Sequence, residues 1–219
     1  MMNPLDRSVI EKVIQDFARD PEIVKRLAWW LKGAHNCERW FQFEWAFRLD
    51  SHLQDLFPER YLVACEKHKR IDVVVYELPL PVAKKDILED NSPAYAVELK
   101  WFRNWWVNEG ELEKLKDDVI KINTYKIPAL ALATWLFVAP TEDNESFYCW
   151  ISKLIRTGEG VANFSALENK GKKDTLNGMA FKYNFKIGPI SCPHHPAFGE
   201  LELWTVGFYN EAYSKIVGG

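Results

Sequence analysis

The chain has 219 residues, 47% hydrophobic and 27% charged, the balance of a globular protein with a real core and not of a disordered or fibrous chain. The formal net charge of −3 excludes a globally basic nucleic-acid binder and leaves room only for local basic strips. Ten Trp within a 14% aromatic content point to a ring-rich core, with some rings free to stack on bases. No stretch approaches the ~18 apolar residues of a membrane span. Residues 1–20 are polar and amphipathic, unlike a secretory leader, and the four cysteines form no CxxC pair, so a reducing cytoplasm is the expected compartment.

Residues 6–19 carry Val9, Ile10, Val13, Ile14 and Phe17 at helical spacing. Pro21 restarts a second helix through about Leu31, ended by Gly33. A third helix follows Asn36, a plausible cap, and runs to Pro58. Two β-rich runs, YLVACEK (61–67) and IDVVVYE (71–77), are close enough to form a hairpin around His68–Arg70. A loop over 78–93 leads to a third strand, AYAVELKWF (94–102). The run 111–126 is helical, with Leu112, Leu115, Val119 and Ile122 on one face, and ALALATWLFVA (129–139) reads as a buried strand. A helix over Glu145–Arg156, a loop at Gly171–Asn177, and strands FKYNFKI (181–187) and LELWTVGF (201–208) complete the expectation. This order argues for one α/β domain with a mixed sheet, residues 1–219.

The chemistry-bearing spacing is Asp72 on one strand and Glu98-Leu99-Lys100 on another. Strand alternation puts Glu98 and Lys100 on one face and turns Leu99 to the other. Two carboxylates on neighbouring strands make an oxygen-rich pocket for a hard divalent cation, and a nearby Lys can hold the attacking water and offset phosphate charge. Acids inside such apolar runs are costly unless paired or metal-bound. Taken singly, each of these residues also reads as an ordinary surface charge.

Across about residues 36–139, the succession CERWFQ, EKHKRIDVVVYE, YAVELKWF and ELEKLKDDVIKI resembles the PD-(D/E)XK, or restriction-endonuclease-like, nuclease superfamily. The resemblance implies a helix–strand–strand–strand–helix–strand core, with residues 1–35 as an N-terminal helical extension and 140–219 as a C-terminal one. It implies a Mg²⁺-dependent endodeoxyribonuclease, with Mn²⁺ as a substitute, in which Asp72, Glu98 and the Leu99 carbonyl ligate the metal and Lys100 assists the water. Ile71 stands where the class name has Pro. Duplex or branched DNA is the expected partner; RNA and a homodimer stay open. The alternative is a non-catalytic nucleic-acid- or protein-binding member of the same fold.

Members of the superfamily often carry a Glu on the first core helix. Glu38 shares a helical face with Gln42, Trp45, Leu49, Leu53 and Leu56, whereas Glu44 falls with Arg48, Ser51 and Asp55 on the polar side. Glu38 is therefore the preferred fourth site residue, with Glu44 the competitor. Lys67, Lys69 and Arg70 in the hairpin turn, Arg103 after the third strand, and Lys170, Lys172 and Lys173 are candidate nucleic-acid contacts, while Glu66 reads as an extra acid toward the metal or a strand-end surface charge. Trp101, Phe102, Trp105 and Trp106 could stack on bases or pack the next helix. Lys114, Asp118 and Lys121 share one side of the 111–126 helix and could line a cleft or form a plain charged face. Cys192, His194 and His195, with His35 and Cys37, have the wrong spacing for a compact zinc site.

Overall fold

The computed structural model describes residues 3–32, 38–65, 71–78, 92–102, 109–138, 161–163 and 180–217. Helices α1 (Arg7–Arg19), α2 (Pro21–Lys32) and α3 (Glu38–Leu56) precede strands β1 (Tyr61–Cys65), β2 (Val73–Glu77) and β3 (Tyr95–Phe102). Helix α4 (Glu109–Asn123) then leads to β4 (Ala129–Val138). Short strands β5 (Val161–Asn163) and β6 (Ala180–Lys182) pair with each other, and β7 (Phe185–Ser191), β8 (Leu201–Tyr209) and α5 (Glu211–Val217) close the chain.

Six strands form one mixed sheet in the order β1-β2-β3-β4-β8-β7. Among the described strands, only β3 and β4 run parallel, joined by the α4 crossover that a parallel pair needs. The other neighbours are antiparallel. The expected hairpin, strand order and crossover helix are all present. No helix of the described residues is long and apolar enough to cross a membrane.

Strand alternation divides the core in two. Val97, Leu99 and Trp101 of β3, with Leu130, Leu132 and Leu136 of β4, face α1, α2 and α3. Phe17 of α1, Phe41 of α3 and Trp101 meet there, with Phe17–Phe41 edge-on at 5.1 Å and Phe41–Trp101 at 4.9 Å. On the other face, Ala129, Ala131 and Ala133 lie beneath Leu115 and Ile122 of α4. Three alanines at alternate positions leave the room that a close-lying helix needs. Phe102 stacks on Trp135 at 4.7 Å. Trp101 and Phe102 are thus core rings, unavailable for stacking on bases; Trp105 and Trp106 lie outside the described residues.

Three local expectations are corrected. FKYNFKI is two strands, because at Asn184 the chain leaves β6 for the main sheet. There Asn184 donates its N–H to the Gly207 carbonyl, and its Oδ1 accepts from Tyr209 N–H. Leu56, at the last turn of α3, is 47% exposed, since the helix has run past the sheet by then. The sequence reading also missed α5. Asn210 caps that helix by accepting the Tyr213 N–H at 3.0 Å, with Glu211 in the first turn, which is the helix-start pattern. The helix expected over Glu145–Arg156 and the Gly171–Asn177 loop lie outside the described residues.

Candidate active site at the parting of two strands

Strand β2 pairs with β3 only as far as Val73 opposite Val97. Beyond that point the two strands separate, and the edge of β3 from Glu98 onward loses its β2 partner. Asp72 stands at this fork. It is not on a strand, as the spacing suggested, but in the bend just before β2. Its carboxylate continues the ladder in place of backbone, accepting the Leu99 N–H through Oδ2 at 2.7 Å. That bond ties Asp72 directly to the Glu98-Leu99-Lys100 segment.

Glu98 and Lys100 project from the α4 face of β3, while Leu99 goes into the opposite core. Glu98 is 2% exposed. A charge so enclosed needs partners, and it has two: the Tyr125 hydroxyl donates to Oε1 at 2.6 Å and Lys121 Nζ lies 2.8 Å from the same oxygen. Lys100 Nζ reaches round the open edge of β3 to Glu38 Oε1 at 2.5 Å. Glu38 begins α3, so the first core helix and the third strand meet through this pair. Glu44 is directed elsewhere, to an ion pair with Arg48 at 3.0 Å.

These groups line one cleft of about 330 Å³, together with Gln42 from α3 and Lys114, Asp117 and Asp118 from α4. Its charged lining comprises five carboxylates and three ammonium groups, a surplus of negative charge that a divalent cation would neutralise. Burial, helped by the Glu98 charge beside it, pushes the Asp72 carboxyl up to about 7; the Leu99 N–H works against that shift. Burial and Glu98 likewise push Asp118 up to about 6, against the pull of Lys100 and Lys121. Tyr125 is raised by burial and by donating to Glu98, so it stays a neutral donor.

The expected residues Asp72, Glu98, Lys100 and Glu38 are therefore brought together, and the backbone at Leu99 lines the same space. Lys67, Lys69, Arg70 and Arg103, with Glu66 and Lys170–Lys173, lie outside the described residues. Lys114, Asp118 and Lys121 occupy the cleft side of α4. Tyr125, Gln42 and Asp117 were not singled out as site residues. Tyr125 lies four residues after Lys121, inside the run expected as helix over 111–126 but in the turn past Asn123 where α4 ends, so helical spacing alone gives no reliable signal for it. Cys192 is buried, donating to the Ile190 carbonyl, and His195 Nδ1 accepts from Ala197 N–H. Among the described residues, no group of three or more His, Cys, Asp or Glu side chains is already arranged around a metal-sized point.

Tyr125 is held from the far end of the chain. Asn210, 2% exposed, donates through Nδ2 to the carbonyls of Ile122, Tyr125 and Ile127 at 3.0, 3.3 and 2.9 Å. Its Oδ1 accepts the Ala129 N–H at 3.1 Å. The end of α4, the start of β4 and the β8–α5 junction are thereby fixed on one side chain.

The oxygen-rich donor set fits a hard cation such as Mg²⁺, which favours one or two carboxylates with the remaining positions left to water and phosphate. Asp72 and Asp118, both raised first by burial and then by the neighbouring Glu98 charge, are the groups such a cation would restore to the ionised form. Comparisons of the chain with protein-family models, with curated proteins and with solved structures each found no match.

Proposed function

We propose that this chain is a divalent-metal-dependent nuclease with a PD-(D/E)XK-type site, hydrolysing phosphodiester bonds in DNA. The observation that carries the reading is the convergence of Asp72, Glu98 and Lys100 on one cleft at the fork between β2 and β3, with Glu38 of α3 on the lysine. The element order α3-β1-β2-β3-α4-β4 supports a restriction-endonuclease-like core. A Mg²⁺ ion, when bound, supplies Lewis acidity toward a phosphoryl oxygen and lowers the pKa of water.

The chain's own residues divide the remaining work. Asp72 spends Oδ2 on the Leu99 N–H, which would leave Oδ1 as the oxygen to meet a cation. Glu98 receives both donors on Oε1 and offers Oε2 in the same way. With these two carboxylates, the Leu99 carbonyl would be the protein's third ligand to a cation. Lys100, held extended by Glu38, offsets the charge that grows on the phosphoryl oxygens and orients the attacking water. Lys121, paired with Glu98 at 2.8 Å, would be released to contact substrate phosphate if a cation took its place on that carboxylate. Lys114, exposed at the cleft rim, adds a second phosphate contact.

Incubation of the protein with plasmid, single-stranded DNA and RNA, with Mg²⁺, Mn²⁺ or EDTA, tests the proposal. Metal-dependent DNA cleavage lost in Asp72→Asn and Lys100→Met is expected. Cleavage that persists in both variants refutes it. The paired Glu98 and the net charge of −3 favour a second reading, a non-catalytic member of the fold. Binding without cleavage in every metal supports that one.

A further inference from the structure

Gln42 follows Glu38 by one helical turn on α3 and its side chain enters the same cleft. It is 6% exposed, yet among the described residues no protein group donates to its Oε1. Its neighbours in the cleft differ. Glu98 receives Tyr125 and Lys121, Asp72 receives the Leu99 N–H, and Lys100 holds Glu38. A buried acceptor left without a donor weakens the fold, whereas an apolar side chain of this size would pack as Phe41, Trp45 and Leu49 do beside it.

An enclosed amide oxygen accepts only what the cleft brings to it. The phosphodiester of the proposed reaction has acceptor oxygens and no donor, so it cannot satisfy Oε1. A water polarised by a divalent cation can, and it is small enough for the space. We infer that Gln42 Oε1 accepts a hydrogen bond from a water of the hydrated cation held by Asp72 and Glu98, which rests on the metal-site reading above. Gln42 thus positions that water from the α3 side, one helical turn beyond the Glu38–Lys100 pair. Being neutral, Gln42 takes the hydrogen bond without adding to the crowded negative charge around Asp72 and Asp118.

The test measures Mn²⁺ affinity by calorimetry and melting temperature in EDTA for wild type, Gln42→Leu, Gln42→Glu and Asp72→Asn. Gln42→Leu should melt at or above the wild-type temperature, since it removes an orphaned acceptor. It should bind Mn²⁺ about 10- to 100-fold more weakly, the usual cost of removing a group that orients a metal's surroundings. Gln42→Glu, which keeps the acceptor, should bind at least as tightly as wild type. Wild-type Mn²⁺ affinity in Gln42→Leu, with binding lost in Asp72→Asn, overturns the role of Gln42 and leaves the metal site standing. A marked drop in the melting temperature of Gln42→Leu also overturns it, because the amide then serves the fold. No Mn²⁺ binding by wild type overturns both.

Discussion

Replacing Asp72 by Asn should make the metal-free protein more stable while abolishing its activity. The carboxyl is moved from 3.8 to about 7, first by burial and then by Glu98. Between those two pH values the native state holds a proton that the unfolded chain has released. Stability contributed by this group is therefore greatest near pH 4 and is lost as the pH rises toward 7. The size of the move corresponds to a penalty on the order of 4 kcal/mol at pH 7.5. Asn keeps an oxygen for the Leu99 N–H and places its amide beside the Glu98 carboxylate. Recovering about half of the penalty gives ~2 kcal/mol, or a melting temperature higher by roughly 4–8 °C in a chain of this length. Thermal melts of wild type and Asp72→Asn in EDTA from pH 4 to 8 read this directly. The gap should be near zero at the acid end and widen toward neutrality. Mg²⁺ should then raise the wild-type melting temperature and leave the variant unchanged, because only a cation bound to the native state stabilises it. A variant less stable than wild type at pH 7.5, or a gap independent of pH, would refute the claim that Asp72 is held in a crowded anionic site.

Lys100→Met keeps the buried aliphatic stem of the side chain and removes its charge; single-turnover cleavage should fall about 10²- to 10⁴-fold while DNA affinity by fluorescence anisotropy changes little. Tyr125→Phe removes the hydroxyl from Glu98 Oε1 and should weaken Mn²⁺ binding about tenfold or more, with the fold intact by circular dichroism; unchanged binding would assign the hydroxyl to the fold alone. Asn210→Ala removes the side-chain partner of the buried Ala129 N–H and of the Ile122, Tyr125 and Ile127 carbonyls and should cost about 3 kcal/mol or more in urea unfolding, against less than about 0.5 kcal/mol for the exposed Asn123→Ala.

The parts of this architecture legible in the sequence are those set by local periodicity. Val9, Ile10, Val13, Ile14 and Phe17 mark one face of α1, and all are buried. Glu98 and Lys100 share a strand face because the strand period is two, and nothing distant is needed to know it. Glu38 was preferred over Glu44 on the same kind of argument, and the cleft holds Glu38 while Glu44 turns to Arg48. What escaped notice depends on contacts between remote segments. Asp72 is placed by a side-chain bond to a strand 27 residues away, not by membership of β2. Tyr125, which meets Glu98, sits in a turn that Asn210 anchors from 85 residues downstream. The break in FKYNFKI arises because β7 follows β8 on the main sheet, and its residues carry no local mark of that choice.

The role of the C-terminal strands follows from that last dependence. Strand β8 joins β4 antiparallel along its whole length, so β4 is interior and buried on both faces. The Thr134–Thr205 hydroxyl pair at 3.0 Å, fully buried, fixes the register of that contact from within. Asn210 immediately after β8 then sets where α4 ends and where the turn carrying Tyr125 stands. Glu98 therefore receives its orientation from both directions along the chain. Asp72 fixes β3 from the N-terminal side through Leu99, and β8 fixes the Tyr125 hydroxyl from the C-terminal side. A site whose acid is clamped between two such anchors has little freedom to relax the repulsion among Asp72, Glu98 and Asp118. Under the proposed metal-site reading, that rigidity leaves a bound cation, and not a shift of the backbone, to relieve it.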